Sequence, residues 1–559
     1  MKKDNKIQQL LLTILIVIII NLLGSQFFYR LDLTNDSRYT LSKTTLEIVN
    51  KVEEPLYIDV YLEGDFPGEF KKLQTETQQL LQEFKAVNSN IIFQFINTID
   101  VDDKNLSKAK ELLGKGLTPV SVTVDNKGKQ EQSMVFPWAV ARFNGKEIKI
   151  QLLKNMLGAS TADKVVSSVQ HLEYAFADAI NTVSTTKQKK IAVLKGNDEL
   201  PDIFMADFIK EVRNNYFIGT FTLDSVAKKP IESLQVLKKY DLLIIVKPQE
   251  KFTDNEKQVL DQYIINGGKT FWLVDMVHAE MSDLEQNGTT LAYGNDLDIN
   301  EMFFKYGIRI LPDLIKDEQC TPIKLATGEP GSKTEFQQYP WKFAPFIYPE
   351  SNNPIVKNLD GIKFDFCSPI ELLKNDIKKT ILLQSSINSR IVGTPATINL
   401  NLVEEKTNPA EYFNKGNIPV AVLLEGKFKS VYENRVLPFD DKTFKNTSTV
   451  NNKMIVVSDG DVIKNQIDKN GVPLELGFDK WTKNVFANKE FVMNCVNYLL
   501  DDNGLINIRS KDVNIALLDK EKVYENYNKN QFLAIGLPLI LLLIFGFIFN
   551  YLRKKKYAK

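Results

Sequence analysis

The chain has 559 residues, of which 43% are hydrophobic and 25% are charged, and this predicts a folded protein of two or three domains. Its 70 basic residues balance its 70 acidic ones, and no basic stripe is interleaved with aromatic residues, which argues against nucleic acid as a partner. The three cysteines (Cys320, Cys367 and Cys495) are too few and too scattered for a disulfide framework or a zinc cluster. Free buried thiols are therefore favoured over a single bridge.

An apolar run at 10–29 follows a short basic segment at 1–9 and predicts a transmembrane helix, because a bilayer core needs about 20 apolar residues. A cleaved signal peptide is the alternative interpretation. Leu23 is a poor residue three places before a cut, so we favour retention of the helix. Asn21, Gly24 and Ser25 lie three and four residues apart on this helix, and small or polar residues on one face predict contacts with another membrane helix.

A linker at 509–530 leads to a second and purer apolar run at 531–552, which a basic tail at 553–559 follows. Positively charged residues stay on the cytoplasmic side of a membrane. The basic residues at 1–9 and 553–559 therefore predict that both termini are cytoplasmic. We expect a two-pass protein of the inner membrane that holds one large periplasmic module.

The sequence of residues 30–185 predicts an α/β domain. The strand Leu56–Leu62, the helix Phe70–Phe84 and the strand Ile91–Ile96 follow one another with short joins, which is typical of a right-handed parallel unit. This unit looks thioredoxin-like, but without a Cys-x-x-Cys motif it can only be a scaffold. A strand-rich insertion at 117–158 reads as hairpins, with strands expected at 120–124, 133–143 and 147–153. An amphipathic helix then closes the domain before a polar joint at 184–190.

Residues 190–508 show the clearest pattern, in which strands alternate with helices. Strands are expected at 191–194, 217–223, 240–246, 271–275 and 453–457, and helices at 203–212, 253–265 and 491–499. This alternation predicts a doubly wound, mostly parallel sheet, in which ligands bind beyond the carboxyl ends of the strands. Strands are also expected near 308–311, 381–383 and 420–424, but the sequence does not order the region 290–450.

Polar residues follow two strands of this predicted sheet and are candidate ligand-binding residues. Asn197, Asp198 and Glu199 come after the first strand, and Asp275 ends a later one. They could coordinate a cation or a sugar hydroxyl, although Asp and Asn are also common turn formers at strand ends. The segment Ser458–Asp461 lacks the threonine that a phosphatase motif needs two places on, and we interpret it as a turn.

Catalytic motifs are absent from the sequence. An amidotransferase-type hydrolase needs a nucleophilic Cys on a sharp turn after a strand, with a His nearby, and no cysteine of this chain occupies such a turn. The two histidines, His171 and His278, are better interpreted as structural residues than as bases. No phosphate loop, dinucleotide fingerprint or zinc-protease motif is present. We therefore expect no enzyme activity, no cofactor and no metal.

Five short motifs follow one another along the chain. They are Asp32-Leu33-Thr34, Arg38-Tyr39-Thr40-Leu41-Ser42, Leu172-Glu173-Tyr174, Gly267-Gly268-Lys269, and Asn494 to Asp502 running into Ile508-Arg509. In order and spacing they resemble the gliding-motility-associated, substrate-binding-like auxiliary proteins of ABC transporters, over nearly the whole chain. The resemblance implies an accessory subunit that works beside a separate ABC ATPase and a separate multispanning permease. It also implies that the second domain is similar to class I glutamine amidotransferases without their catalysis.

Three hypotheses follow. The first is a non-enzymatic, extracytoplasmic subunit of an ABC transporter complex associated with gliding motility and protein secretion. The second is a ligand-binding or residual hydrolytic protein that uses the strand-end cleft of the second domain. The third is a stand-alone envelope scaffold.

Overall fold

The computed structural model describes residues 4–26, 40–64, 66–98, 107–126, 129–327, 335–406, 408, 410, 415–511 and 524–557. Contacts divide the chain into two compact units, Met1–Asp512 and Val513–Lys559, and we describe each by itself. The first unit is mixed α/β with several sheets, as the sequence predicts. The motif at 32–34 and the first two residues of the motif at 38–42 lie outside the described residues.

The N-terminal part of the first unit contains α1 (Asp4–Gln26), α2 (Lys43–Asn50), β1 (Leu56–Glu63), α3 (Gly68–Val87), β2 (Ile91–Asn97), α4 (Ser107–Gly114), β3 (Val120–Asn126), β4 (Lys129–Val135), β5 (Trp138–Phe143), β6 (Lys146–Gln151) and α5 (Thr161–Ser184). Four strands form a sheet with the order β2-β1-β5-β6. The predicted parallel unit is confirmed, because β1 pairs in parallel with β2 and α3 connects them. The apolar face of α3 is buried, as its spacing predicts.

The strand predicted at 133–143 is two strands. β4 ends at Val135 and β5 begins at Trp138. Pro137 lies between them and has no backbone N–H to donate to a ladder, so pairing stops there. The backbone N–H of Trp138 donates to the Phe136 carbonyl over 2.8 Å, which closes a tight turn.

The next helices and strands in the chain are β7 (Lys190–Lys195), α6 (Ala206–Asn215), β8 (Phe217–Thr222), α7 (Pro230–Leu237), β9 (Leu242–Val246), α8 (Asp254–Ile265) and β10 (Lys269–Leu273). A 3-10 turn at Asp202–Met205 precedes α6, where the sequence predicts one helix from 203. Thr253 caps α8 through a capping box with Glu256, which fixes where this helix begins.

A long region then contributes β11 (Val277–His278), α9 (Met281–Asn287), β12 (Thr289–Gly294), α10 (Asn300–Tyr306), β13 (Ile308–Ile310), β14 (Leu314–Asp317), β15 (Cys320–Thr327), β16 (Glu335–Ile347), β17 (Ile362–Lys363), β18 (Ile370–Leu372), β19 (Lys378–Gln384), β20 (Ser389–Val392), β21 (Ala396–Asn399), β22 (Pro419–Gly426), β23 (Asn452–Val457) and α11 (Asn488–Leu500). Most of its strands form small sheets with the orders β11-β12-β21, β13-β18, β14-β20 and β15-β16-β17.

The largest sheet has seven strands in the order β19-β22-β23-β10-β9-β7-β8. The five strands from β23 to β8 run in parallel, whereas β22 and β19 are antiparallel at one end. All five residues of β9 are buried, as expected of a strand with both sheet faces covered. The predicted doubly wound, parallel sheet is therefore present, with an antiparallel edge.

Among the described residues of the second unit, Tyr527–Tyr557 forms the helix α12, with a π-helical segment at Phe532–Gly536. Within the described residues it is the helix that is long and apolar enough to cross a membrane. The described apolar part of α1 is shorter and covers Leu10–Asn21. Asn21 is exposed on α1, whereas the exposure of Gly24 and Ser25 lies outside what the structure describes.

Candidate functional site

A cleft of about 1010 Å³ opens at the carboxyl ends of the parallel strands, and we call it the strand-end cleft. Its lining includes residues from the loops that follow β7, β9 and β23, represented by Glu199, Lys247 and Asp461. In a doubly wound sheet this edge is where ligands bind, because loops from neighbouring strands meet there.

Three of the predicted site residues lie together after β7. The backbone N–H of Asn197 donates to Glu199 Oε2 over 3.0 Å, and both side chains are buried. Asp198 and Glu199 line the strand-end cleft. Asn197 Oδ1 and Glu199 Oε1 are buried without a hydrogen-bond donor, and burial raises the pKa of the Glu199 carboxyl. Glu199 thus offers an unsatisfied acceptor to anything that enters the cleft.

Asp275, the fourth predicted residue, contacts Lys247 and not the group at 197–199. Its carboxylate accepts the backbone N–H of Gly460 and lies 3.2 Å from Lys247 Nζ. Asp275 is buried and lies behind the residues that line the cleft. Its observed role is to hold Lys247 in place.

Lys247 is not among the candidate residues that the sequence predicts for this site. It follows β9 with φ at +51°, a strained conformation for a side chain of this kind. Its ammonium lies 2.7 Å from Asp461, 2.8 Å from Glu280 and 3.2 Å from Asp275, and we call these four residues the Lys247 cluster. Lys247 and Asp461 are 214 residues apart, so no local motif could have joined them.

Burial and neighbouring charges together set the pKa values in and beside the Lys247 cluster. Burial lowers the pKa of Lys247, but its three carboxylate neighbours outweigh burial and raise that pKa well above the usual value. Two lysines likewise outweigh burial at Asp461 and lower its pKa. Burial, followed by repulsion from neighbouring carboxylates, raises the pKa of Asp459 well above normal. Our interpretation of 458–461 as a simple turn is incomplete, because Asp461 is an ion-pair partner.

The position of Lys247 bears on catalysis. A sharp turn after a buried strand is where the amidotransferase-type mechanism needs its nucleophile, and here that turn carries a protonated amine, which is not nucleophilic. The three cysteines are free thiols. Burial raises the pKa of each, to about 12 for Cys320, so all three stay protonated at neutral pH. Among the described residues no group of His, Cys, Asp and Glu is arranged to hold a metal ion.

A second polar site joins the segments near residues 40 and 511 of the first unit. Glu173 on α5 accepts the backbone N–H of Ser42 over 2.7 Å and the Thr45 hydroxyl over 2.8 Å, and its other oxygen lies 2.9 Å from Lys511 Nζ. Lys511 Nζ also donates to the Thr40 carbonyl over 2.8 Å. We call these residues the terminal cluster. Residues 40 and 511 are therefore side by side.

An adjacent group, the Glu490 cluster, fixes the same segment from the other side. Arg509 is buried and donates to Glu490 over 3.0 Å, and it lies 3.2 Å from His171 Nδ1. Lys154 also pairs with Glu490, over 3.1 Å. Desolvation and then the Arg509 guanidinium lower the pKa of His171 well below normal. Burial raises the pKa of Glu490, but Lys154 and Arg509 outweigh it and lower that pKa to about 2.

The two clusters collect residues from motifs that are far apart in sequence. Leu172-Glu173-Tyr174 meets Thr40-Leu41-Ser42 through Glu173, and it meets Ile508-Arg509 through the cation–π contact of Arg509 with Tyr174. The Tyr174 hydroxyl also accepts a hydrogen bond from Asn497 over 3.3 Å. Three of the five motifs thus meet where the segments near residues 40 and 511 adjoin, and not at the strand-end cleft.

Comparison with protein families gives two matches. Residues 188–495, more than half of the chain, match a family model of auxiliary proteins described as an ABC-type uncharacterized transport system. Residues 35–142 match a domain of unknown function (DUF7088).

Individual relatives are distant. An uncharacterized protein of Borreliella burgdorferi is 24% identical over 568 residues, which covers 99% of each chain. Among solved structures, the mmIFT52 N-terminal domain is 15% identical, covers 56% of this chain and 99% of its own, and has a TM-score of 0.31. A putative ThuA-like protein from Parabacteroides merdae is 8% identical, covers 60% of this chain and 94% of its own, and has a TM-score of 0.27. At these TM-scores neither likeness carries an argument.

Proposed function

The chain belongs to the ABC-type transport-system auxiliary family, and on that premise we propose that it is a non-enzymatic, membrane-anchored auxiliary subunit. It works beside a separate ABC ATPase and a separate multispanning permease, with its large module in the periplasm and both termini in the cytoplasm. The helix α12 supports anchoring by its length and composition. The apolar run at 10–29 is proposed as the second anchor.

The observation that carries this proposal is the terminal cluster. A module held by an anchor at each end must return its chain to the same membrane surface, so its two ends need to leave from one place. Lys511 Nζ donates to the Thr40 carbonyl over 2.8 Å, and Glu173 binds both end segments. A module anchored at one end only has no need for such a junction.

The finer parts of the proposal concern domains and biological role. Residues 30–185 form a thioredoxin-like scaffold and residues 190–508 an amidotransferase-like domain. The order and spacing of the motifs resemble GldG, and on that ground the proposed role of the complex is in gliding motility and protein secretion. A genome that carries ATPase and permease genes beside this one supports the subunit role, and an isolated gene supports the third hypothesis, a stand-alone scaffold.

Topology is tested with reporter fusions in the full chain. A periplasm-active reporter inserted at Gly288, the C-cap of α9, should be active, and a cytoplasm-active reporter after Lys559 should also be active. A silent fusion at Gly288 contradicts the periplasmic placement.

The absence of enzyme activity is tested on the purified protein with glutaminase, ATPase and disulfide-exchange assays. We expect no turnover, because the strained turn after β9 carries Lys247, two of the three thiols are buried and the Cys320 thiol is half-buried. Turnover that disappears in His278→Ala, Asp275→Ala or Glu199→Ala would revive the hydrolytic interpretation.

A second candidate function is ligand binding in the strand-end cleft, with Asn197, Asp198, Glu199 and Asp275 as the proposed residues. The unpartnered Glu199 Oε1 in the cleft lining favours it. A sugar hydroxyl or a cation would satisfy that oxygen. Glu199→Gln removes the charge and keeps the shape, so it should weaken a cation far more than a sugar in calorimetric titration.

A further inference from the structure

One wall of the strand-end cleft is the strand β15. Six consecutive residues of this strand, Thr321 to Ala326, line the cleft. Successive side chains of a strand point to opposite faces, so a cleft that lay on one face of the sheet would contact every second residue only. The cleft therefore runs along the edge of β15 for about 17 Å, at about 3.3 Å per residue.

This edge of β15 has no neighbouring strand among the described residues. In the small sheet with the order β15-β16-β17, β15 is the outer strand and pairs with β16 alone. Its main chain on the cleft side is consequently open to pairing.

The register shows which backbone groups face the open edge. Pro322 lies opposite Pro340, and two prolines cannot exchange N–H···O bonds. In an antiparallel ladder, hydrogen-bonded and non-hydrogen-bonded pairs alternate, so Ile323 and Leu325 bond to β16. The N–H and C=O groups of Lys324 and Ala326 then point away from β16, toward the cleft.

The other walls supply apolar and acidic side chains. Phe204, Phe478 and Trp481 line the cleft, and Trp481 is 46% exposed. Seven Asp or Glu residues and five Lys residues line it in total. Three of these lysines are paired with acidic residues of the lining, Lys247 with Glu280, Lys363 with Asp365 and Lys464 with Asp461, which leaves an acidic excess of two. Glu199 Oε1 still needs a donor. These walls suit a ligand with apolar groups and some positive charge.

We propose that the strand-end cleft binds an extended peptide segment, which pairs with β15 as an added strand and places a basic side chain at Glu199. This inference rests on the second candidate function, ligand binding in the cleft. Backbone pairing supplies affinity in this mode of recognition, and pockets for alternate side chains supply selectivity. The peptide belongs to a protein that the periplasmic module meets outside the cytoplasm.

Lys and Pro are also the residues with which proteins protect exposed edges from aggregation. Pro322 has no backbone N–H, so the edge lacks a hydrogen-bond donor at one end only. The Lys324 ammonium lies over the Phe336 ring of β16, 5.1 Å from its centroid, so this side chain turns toward the paired strand. The open N–H and C=O groups at Lys324 and Ala326 are left accessible.

The test uses the full-length protein in detergent and random peptides of about eight residues displayed on phage, a length that exceeds the six-residue wall. Selected sequences are synthesised with a fluorescent label, once with a normal backbone and once N-methylated at alternate residues. We expect selection of alternating apolar and basic sequences, and at least tenfold weaker binding by the N-methylated copy. Equal binding by both copies, or no saturable binding by either, overturns the proposal.

Variants locate the binding. Ala326→Pro removes an outward N–H and should weaken binding at least tenfold, as should Trp481→Ala, whereas Val436→Pro in an exposed loop should have no effect. If Ala326→Pro does not fold, the comparison of the two peptide backbones on the wild type still decides. A neutral oligosaccharide that binds in place of any peptide, with loss in Trp481→Ala, overturns the peptide and leaves ligand binding standing.

Discussion

Lys247 shows how a single residue can organise the edge of a sheet. Its ammonium contacts carboxylates from three separate segments, at Asp275, Glu280 and Asp461. Removing one partner of a buried ion pair leaves uncompensated charge and is strongly destabilising, even where the complete pair adds little. The strained φ of Lys247 persists because these contacts determine it.

We therefore predict that Lys247→Met lowers the free energy of unfolding by about 3–5 kcal/mol, because three carboxylates lose their shared cation. Urea denaturation of the purified protein measures it. Lys239→Met, at an exposed position, is the matched control and should change stability by less than about 0.5 kcal/mol. Equal effects of the two substitutions would show that the Lys247 cluster has no structural role.

A second residue-scale prediction concerns pH. The pKa of His171 is lowered in the folded protein, so the unfolded chain binds more protons below pH 6.5 and stability falls as pH falls. Between pH 7.5 and 5.5 this removes about 1.4 kcal/mol. His171→Gln should lose that contribution, and His278→Gln should retain it. The variant must be compared with the wild type because another group titrates in this pH range. Burial raises the pKa of Asp178 to about 7, and its titration changes stability in the opposite direction.

Denaturation midpoints at the two pH values measure this difference. If wild type and His171→Gln show the same change in stability between pH 7.5 and 5.5, His171 does not titrate as its surroundings require.

The sequence could predict where individual polar residues lie, but not which other residues they contact. Asn197 to Glu199 were identifiable because polar residues after a buried strand fall at a known edge of the sheet. Lys247 and Asp461 became partners only through the packing of distant loops. Arg509 and Glu173 were visible as motif residues, but nothing local indicated that they join the chain ends.

Helix α5 is the element that connects the parts of the first unit. It packs on the N-terminal sheet through an apolar face at helical spacing, and the same helix carries His171, Glu173 and Tyr174 toward the segment 505–511. These polar residues have a structural purpose, since they bind the segments 40–45 and 505–511.

We predict that Glu173→Gln loosens both end segments. The amide of Gln still accepts a hydrogen bond, but it lacks the charge that attracts Lys511. Hydrogen exchange at the backbone amides of 40–45 and 505–511 should therefore become faster. Hydrogen exchange measured by mass spectrometry checks this. Glu47→Gln, an exposed change on α2, serves as control. Unchanged exchange at 505–511 would mean that Glu173 does not hold the C-terminal segment.

At the element scale, prediction succeeded where one pattern dominated. β9 is a run of apolar branched residues and α8 begins at a capping box, and both form as expected. The prediction of one continuous strand across 133–143 is wrong, because Pro137 interrupts the strand pairing. The region 290–450 could not be ordered, because its short strands pair across long separations, such as β12 with β21.

The whole molecule joins a parallel-sheet module to an apolar helix, and its family assigns it to an ABC transport system. We propose that this chain is one subunit of a complex whose ATPase and permease are separate proteins. Membrane helices that associate commonly present small or polar residues to each other, and Asn21 and Gly24 are the proposed contacts on α1. A hydrogen bond in a membrane contributes only about 0.6 kcal/mol on average, so these residues mark a contact more than they hold it together.

Affinity purification of the tagged full chain in mild detergent tests this claim most directly. We predict that the wild type recovers an ABC ATPase and a multispanning permease. The double variant Asn21→Leu with Gly24→Leu should recover less of both at unchanged protein abundance, whereas the control Ile16→Leu with Ile19→Leu should match the wild type. Equal recovery by the double variant would mean that the complex is held together outside the membrane. Recovery of neither partner by the wild type would contradict the account.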